Sequence, residues 1–345
     1  MGVKRIYSLD WLKGAMIICI VLHHSFFFPH FHGYLGVDVF FFISGYFLMS
    51  SFLREPTTAV HYTWNRISRM AAPYFVCLIL ACILHFRHIN MENGLDSWTD
   101  QAGQLLFAIQ FAEGIGGSIT SVSFLLGSWF LSVLVICSFI LYGMLQYNER
   151  LSTMLLFPAI VLLGYNAMIG SSLSVDNFTR IGILGASLIR GLFEMAAGAW
   201  ICHVYYNHKA SIDNKATLIN ILGLLSFIVF FAMLFSRQAA DKYLIVTIPW
   251  ILLSSVIDNS WLNSILNKLH GSILSRIGRY TIYVYCAHGL AETLVFWFNE
   301  YFLNHSLNGI YLLITILVAV TVASIALFYL CRFIGRVSQP DYTRV

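Results

Sequence analysis

"LKGAMIICIVLHHSFFF", residues 12–28, has the apolar composition of a membrane-spanning helix, yet it contains three residues that lipid disfavours. Lys13 lies near its start, and His23 and His24 lie side by side in its apolar body. A span needs about 20 apolar residues and no polar ones. The sequence therefore predicts a transmembrane helix whose polar residues serve either packing or function.

The rest of the chain has the same apolar character. Of its 345 residues, 59% are hydrophobic and 10% are charged, and the mean hydropathy is +0.76. Soluble domains carry roughly 25% charged residues. We expect an all-α polytopic membrane protein, with residues 1–345 forming a single integral-membrane domain. The net charge of +4 comes without a basic block or tail, so a nucleic-acid partner is not expected.

Apolar segments of sufficient length predict about ten transmembrane helices. They cover residues 11–29, 34–53, 71–89, 123–145, 151–169, 181–205, 216–236, 243–257, 280–303 and 310–332. With the N-terminus inside, most lysines and arginines fall in cytoplasmic loops. The exceptions are Arg87, Arg180, Arg237 and Lys242 outside, and Arg190 within a span. The positive-inside rule then predicts that both termini are cytoplasmic.

The cysteines and the outer histidines do not predict a metal site or a disulfide framework. The seven cysteines lie in or beside apolar spans and form no C-x-x-C pair, so we expect small buried apolar residues. His30 and His32, in a short outer loop, are too few for a metal site.

Lys13 and His24 share one face of the first helix. Eleven residues correspond to three turns plus about 20°, with a rise of roughly 16 Å. His23 points about 100° away, so the two histidines cannot have the same role. Lys13 either snorkels to the cytoplasmic headgroups or contributes to a site. His24 is either a satisfied interhelical hydrogen-bond partner or a functional group.

The second span, "GYLGVDVFFFISGYFLM" (33–49), contains Asp38 a few residues from its outer end. Its depth is close to that of His24. A carboxylate beside an imidazole fixes the tautomer and stabilises the imidazolium, as a general base requires. The position of Asp38 therefore favours the functional interpretation of His24.

The segment "WNRISRMAAPYF" (64–75) places Arg66 and Arg69 on one helical face at the cytoplasmic side. They are either ordinary orientation signals or an anion site, because guanidinium forks match phosphate oxygens.

Three motifs in order resemble the opening of the membrane-bound acyltransferase-3 family. They are "SLDWLKGAMIICIVLHHS", "GYLGVDVFFFISGYFL" and "NRISRMAAPYF". The later segments "SWFLSVLVICSFILY" (128–142), "IRGLFEMAAGAW" (189–200) and "LSRIGRYTIYVYCAHGL" (274–290) resemble further family motifs, so the resemblance covers nearly the whole chain. Many members have Arg where this chain has Lys13.

The resemblance implies a ten-span O-acyltransferase in the plasma (inner) membrane. Such a protein moves an acyl group, usually acetyl, from cytoplasmic acyl-CoA to a hydroxyl of a cell-surface glycan or a lipid-linked sugar precursor. It needs no bound cofactor, and its partners are acyl-CoA, the saccharide and the bilayer. The motif match gives His24 and Asp38 catalytic roles and assigns Lys13, Arg66 and Arg69 to acyl-CoA binding.

Two further polar pairs lie inside predicted spans at i, i+4 spacing, Arg190 with Glu194 and His288 with Glu292. Each pair is either a self-neutralising structural pair or part of the cavity that holds His24. The alternative function is a transporter or flippase of lipid-linked sugars without acyl transfer, which would also need polar residues in a bundle. Such a protein would not need an imidazole aligned with a cytoplasmic cation.

Overall fold

The computed structural model describes residues 6–92, 96–110, 112, 125, 127–170, 180–181, 184–236, 241–258 and 260–335. These residues are helical apart from short connections and one two-residue hairpin, β1 (Arg180–Ile181) with β2 (Leu184–Gly185). The helices are α1 (Tyr7–His24), α2 (Gly36–Arg54), α3 (Ala59–Glu92), α4 (Asp96–Ile109), α5 (Trp129–Tyr147), α6 (Phe157–Gly170), α7 (Ala186–Asn207), α8 (Lys209–Asn214), α9 (Ala216–Met233), α10 (Asp241–Val256), α11 (Trp261–Lys268), α12 (Ile273–Arg279), α13 (Thr281–Tyr301) and α14 (Gly309–Phe333). The prediction of an all-α protein is confirmed.

Each of the ten predicted spans coincides with a helix, but not all of these helices are apolar enough to be recognised as spans by composition. Within the described residues, six helices are long and apolar enough to cross a membrane, and α10 with α11 makes a seventh if this pair, bent by 69°, is one span. The three left over are α1, α7 and α13. Their mean hydropathy is lowered by polar residues that include Lys13, His23 and His24 on α1, Arg190 and Glu194 on α7, and His288 and Glu292 on α13.

Two helices differ from the predicted bounds in ways that matter for the site. Helix α1 ends at His24 rather than at residue 29, and Phe26 and His30 adopt positive φ in the loop that follows. Helix α3 begins at Ala59, twelve residues before the predicted span, so Arg66 and Arg69 lie inside a continuous helix.

Helix α2 lies at the centre, and α9 and α14 lie at the periphery. In the most apolar stretch of each, 72% of residues are buried for the span that contains α2, against 22% for α9 and for α14. Large apolar side chains on one face of α14 are half or more exposed. They are Tyr311, Ile314, Val318, Val322 and Ile325. A face of this kind is compatible with lipid and not with water.

Glycines allow the central helices to approach closely. A Cβ added at Gly14 of α1 would overlap the Leu274 carbonyl oxygen of α12, and one added at Gly278 would overlap the carbonyl oxygen of Asp10. Gly198 of α7 meets the backbone of α2 at Phe42 in the same way. Small residues at helix crossings are the usual means of packing helices in membranes.

All seven cysteines are free thiols, six buried and one partly buried, as predicted. The prediction of cytoplasmic termini rests partly on Lys4, Arg5, Arg336 and Arg344, which lie outside the described residues, as does Arg237.

Candidate active site

His24, the last residue of α1, faces His288 of α13. The two imidazole ring centroids are 5.5 Å apart, with the planes inclined at 41°. His288 is fully buried, whereas His24 is only partly buried. The structure thus brings together two histidines that are 264 positions apart in the chain.

The orientation of His288 is fixed by its own helix. Its Nδ1 lies 2.6 Å from the carbonyl oxygen of Tyr285. A carbonyl oxygen only accepts, so Nδ1 carries the proton and, in the neutral ring, Nε2 presents a lone pair. Tyr285 is held in turn, because its hydroxyl donates to the Gly127 carbonyl oxygen at 2.7 Å. Gly127 has a φ of +83° in the turn before α5, so the turn that holds Tyr285 favours glycine.

His23 has a different role from His24, in line with the expected divergence of the two side chains. Its Nδ1 lies 2.8 Å from the Phe31 carbonyl oxygen, and its ring meets Tyr34 edge-on at 5.1 Å. His23 therefore fastens the loop between α1 and α2 to the end of α1.

Glu292 lies one turn beyond His288 on α13 and is 2% exposed. Neither of its carboxyl oxygens has a hydrogen-bond partner, and neither has His288 Nε2. A hydrogen-bonded His288–Glu292 pair, one of the two interpretations of the sequence, is therefore not formed. Leaving a buried polar group unsatisfied costs about 1–3 kcal/mol, so these two residues reduce the stability of the bundle.

Asp38 is bound to Arg190 and not to His24. The Arg190 guanidinium donates through Nε and an Nη to the two carboxylate oxygens of Asp38 in a short bidentate ion pair. Arg190 Nε also lies 3.4 Å from Glu194 Oε1, so the expected Arg190–Glu194 contact is present but longer. Among the described residues, no hydrogen bond or ion pair joins Asp38 to His24, so the expected placement of the Asp38 carboxylate beside the His24 imidazole is wrong.

The reason lies in the packing of α2 against α7. All three ionic residues are almost fully buried, at 0% exposure for Asp38 and Glu194 and 2% for Arg190. A buried guanidinium needs a carboxylate partner with good geometry. The sequence predicts a similar depth for Asp38 and His24, but the Asp38 side chain is oriented by the guanidinium of the helix that packs against α2.

Lys13 is paired as well. Its Nζ lies 2.9 Å from Asp10 Oδ1, one turn earlier on α1, and its side chain is 14% exposed. It also lies 5.9 Å from the centroid of the Phe47 ring of α2. Lys13 is thus paired within the bundle, where α12 crosses α1 at Gly14.

Arg66 and Arg69 share a helix but not an environment. Arg66 Nη1 donates to the Ser138 hydroxyl of α5 at 2.8 Å and lies 3.5 Å from the Tyr62 hydroxyl. Arg66 is therefore fixed on a wall formed by α3 and α5, whereas Arg69 is exposed. The two guanidinium groups are not placed equivalently.

Four residues of this arrangement were missed by reasoning from the sequence: Asp10, Tyr285, Ser138 and Tyr62. Asp10 had a detectable signal, since a carboxylate three residues before Lys13 faces it on a helix. Tyr62 and Tyr285 also lie within one turn of their partners, Arg66 and His288, on the same helices. Ser138 reaches Arg66 from a neighbouring helix, and no spacing in the sequence reveals that contact.

The arrangement is suited to proton transfer. Two imidazoles face each other inside an apolar bundle, and within the described residues no group of three or more His, Cys, Asp or Glu side chains could hold a metal ion. A cavity of about 620 Å³ lies elsewhere, beside Asn148 and His203, and contains none of the predicted site residues.

Comparison with known proteins identifies the family of the chain. No curated protein and no solved structure shows detectable similarity to the chain. The model of the acyltransferase-3 family, described as an acyltransferase domain, matches residues 6–333 and so includes every residue of the site. The chain therefore belongs to the acyltransferase-3 family of membrane acyltransferases.

Proposed function

We propose that this protein is an O-acyltransferase. It moves an acyl group, acetyl in the simplest case, from cytoplasmic acyl-CoA to a hydroxyl of a cell-surface glycan or of its lipid-linked precursor. In this proposal ten helices cross the plasma membrane, and both termini are cytoplasmic. The observation that carries it is the pair His24–His288, with ring centroids 5.5 Å apart, at the end of a helix whose other end carries Lys13.

His24 is the general base of the proposed reaction. It takes the proton of the acceptor hydroxyl as the oxygen attacks the thioester carbonyl; the C–O bond forms, the C–S bond breaks, and the proton passes to the departing thiolate. A positioned base accelerates such a transfer by about 100- to 10,000-fold. His24 suits this role because it is partly accessible, whereas His23 is occupied by the Phe31 carbonyl oxygen.

The donor enters from the basic side. Lys13 lies about 16 Å below His24 along α1, a distance that an extended pantetheine arm spans. We propose that Arg66 and Arg69 bind the donor's phosphates, and that Lys13 exchanges Asp10 for a phosphate oxygen when the donor binds. Arg66 supports this assignment because Ser138 already orients its guanidinium fork.

In the proposal Asp38 acts at a distance from the reacting atoms. Its ion pair with Arg190 holds α2 against α7, and α2 in turn packs against α1. Asp38 is therefore a positioning residue, and it remains important for activity without contacting His24.

Acyl transfer can be tested with the purified protein in detergent. Radiolabelled acetyl-CoA is supplied together with the saccharide-lipid fraction from host membranes, and label in alkali-labile esters of that fraction is measured. We expect ester formation by the wild type and none by His24→Ala. Glycan mass spectrometry of cells with and without the gene then names the acceptor. A flippase would leave acetyl-CoA intact and change only the side on which the lipid-linked sugar is found.

A further inference from the structure

We propose that His288 and Glu292 form a subsite that binds hydroxyl groups of the acceptor saccharide next to His24. The inference rests on the acyl transfer proposed above and adds the place where the acceptor is held.

The His288 ring, whose centroid is 5.5 Å from that of His24, has one hydrogen-bond acceptor without a partner. Its Nδ1 proton is used by the Tyr285 carbonyl oxygen at 2.6 Å, so in the neutral ring the unpartnered Nε2 offers a lone pair. The residue is fully buried. A group this deep that lacks a partner in the folded chain is suited to receive one from a ligand.

Glu292 adds a second acceptor on the same helical face. Four residues along a helix bring a side chain back over the first, about 6 Å further along the axis. Both carboxyl oxygens are buried without a partner. Their surroundings offer none, because Ala291 and Val295 pack against Val21 of α1 in an apolar cluster. His288 and Glu292 thus place accepting atoms one turn apart in an apolar wall.

The two groups select the chemistry of the ligand. His288 Nε2 accepts a hydrogen bond, and the Glu292 carboxyl, buried in an apolar wall without a cation beside it among the described residues, is neutral, so it both accepts and donates. Neither group is a cation, so the subsite does not suit the phosphates of acyl-CoA. Hydroxyl groups donate to both kinds of acceptor, and neighbouring hydroxyls of a sugar ring can reach two acceptors at once. Helix α13 also runs away from the basic segment of α12 that holds Arg276 and Arg279. Seen from the donor side, the subsite therefore lies beyond His24 and His288.

The test separates acceptor binding from donor use. Glu292→Met removes the carboxyl at similar volume, and His288→Gln is the second variant. Each is titrated with the saccharide-lipid fraction of host membranes at saturating acetyl-CoA. In parallel, hydrolysis of acetyl-CoA without acceptor reports the donor site. We expect the half-saturating amount of acceptor to rise about tenfold or more in both variants. For Glu292→Met, the half-saturating concentration of acetyl-CoA in hydrolysis should stay within about twofold.

Asn299 provides the matched control on the same helix. It is 5% exposed, and its side chain makes two hydrogen bonds of 2.9 Å with the backbone of Leu307. Asn299→Leu should lower the melting temperature and leave the half-saturating amount of acceptor unchanged. Glu292→Met should keep or raise the melting temperature, because it loses no hydrogen bond and removes an unsatisfied group.

Unchanged acceptor half-saturation in both variants would overturn the proposal, as would a loss of acetyl-CoA hydrolysis equal to the loss of transfer. A failure of the proposed acyltransferase activity is distinguishable from a failure of the subsite proposal. In that case the wild type would neither hydrolyse acetyl-CoA nor label the saccharide fraction.

Discussion

Arg190 on α7 forms a bidentate ion pair with Asp38 on α2. The two residues are 152 positions apart in the chain, and both are almost fully buried. The pair lies about two turns along α7, and about one turn along α2, from the close contact between Gly198 and the backbone at Phe42. The ion pair and the close contact together hold the two central helices in one register. Each charge needs its partner, because both are buried where water cannot solvate them.

Breaking this ion pair from one side should destabilise the protein strongly. Asp38→Asn or Arg190→Met removes one side of the buried bidentate pair, at a cost of about 3–5 kcal/mol. The double variant Asp38→Leu with Arg190→Met should recover part of that loss, because it removes both charges of the pair, and Glu194, which then lacks the guanidinium, becomes neutral by taking up a proton. Thermal unfolding in detergent measures the stability of the single and double variants. Activity that returns together with stability in the double variant would support a positioning role for Asp38, and activity that stays absent would mean that its carboxylate takes part in the reaction.

Substitutions of the two adjacent histidines, His23 and His24, should have different effects on O-acylation. His24→Ala should abolish O-acylation of the surface glycan. His23→Ala should retain it while losing about 1 kcal/mol of stability, because one hydrogen bond to the Phe31 carbonyl oxygen disappears. The measurement is the O-acetyl content of the glycan in cells with matched protein levels. An active His24→Ala variant beside an inactive His23→Ala variant would contradict the proposed base.

Arg66→Lys and Arg69→Lys should each raise the KM for acetyl-CoA about tenfold or more. Each substitution keeps the positive charge but removes the guanidinium, which binds phosphate through two hydrogen bonds. Ser138→Ala is the matched variant, because it removes the hydroxyl that orients Arg66 and leaves Arg69 untouched. It should raise the same KM by a few fold. If the KM is unchanged in both lysine variants, the arginines serve only as orientation signals.

The crossing of α1 and α12 should not tolerate a methyl group. Gly278→Ala would drive a Cβ into the Asp10 carbonyl oxygen and force the two helices apart, at a cost of about 1–3 kcal/mol or more. Gly271→Ala, just before α12, is the control, because a Cβ there meets nothing within 4 Å. We expect the melting temperature to fall for Gly278→Ala only, and acyl transfer to fall with it. Equal melting temperatures would show that the helices can separate at little cost.

The proposed topology is tested with reporter fusions. A reporter after Val345 should be active in the cytoplasm, and one inserted within residues 95–115 should be active outside it, because most lysines and arginines fall in loops on the side of the termini. A C-terminal reporter that is active only outside the cytoplasm would require an odd number of spans.

The sequence by itself determined the helices and the faces of individual helices. A lack of charge over about 20 residues can only be accommodated in lipid as helix, so all ten predicted spans coincide with helices. The fixed 100° turn per residue also placed His24 on the face of Lys13 and turned His23 away from it.

The tertiary structure alone decided which faces meet. Asp38 was expected beside His24 and is bound to Arg190, while His24 faces His288, which the sequence placed in one of two alternative environments. Periodicity orients a side chain about its own helix, but it does not choose the neighbouring helix. That choice depends on where glycines let backbones approach and on which buried charges must neutralise each other, and both depend on residues more than a hundred positions away.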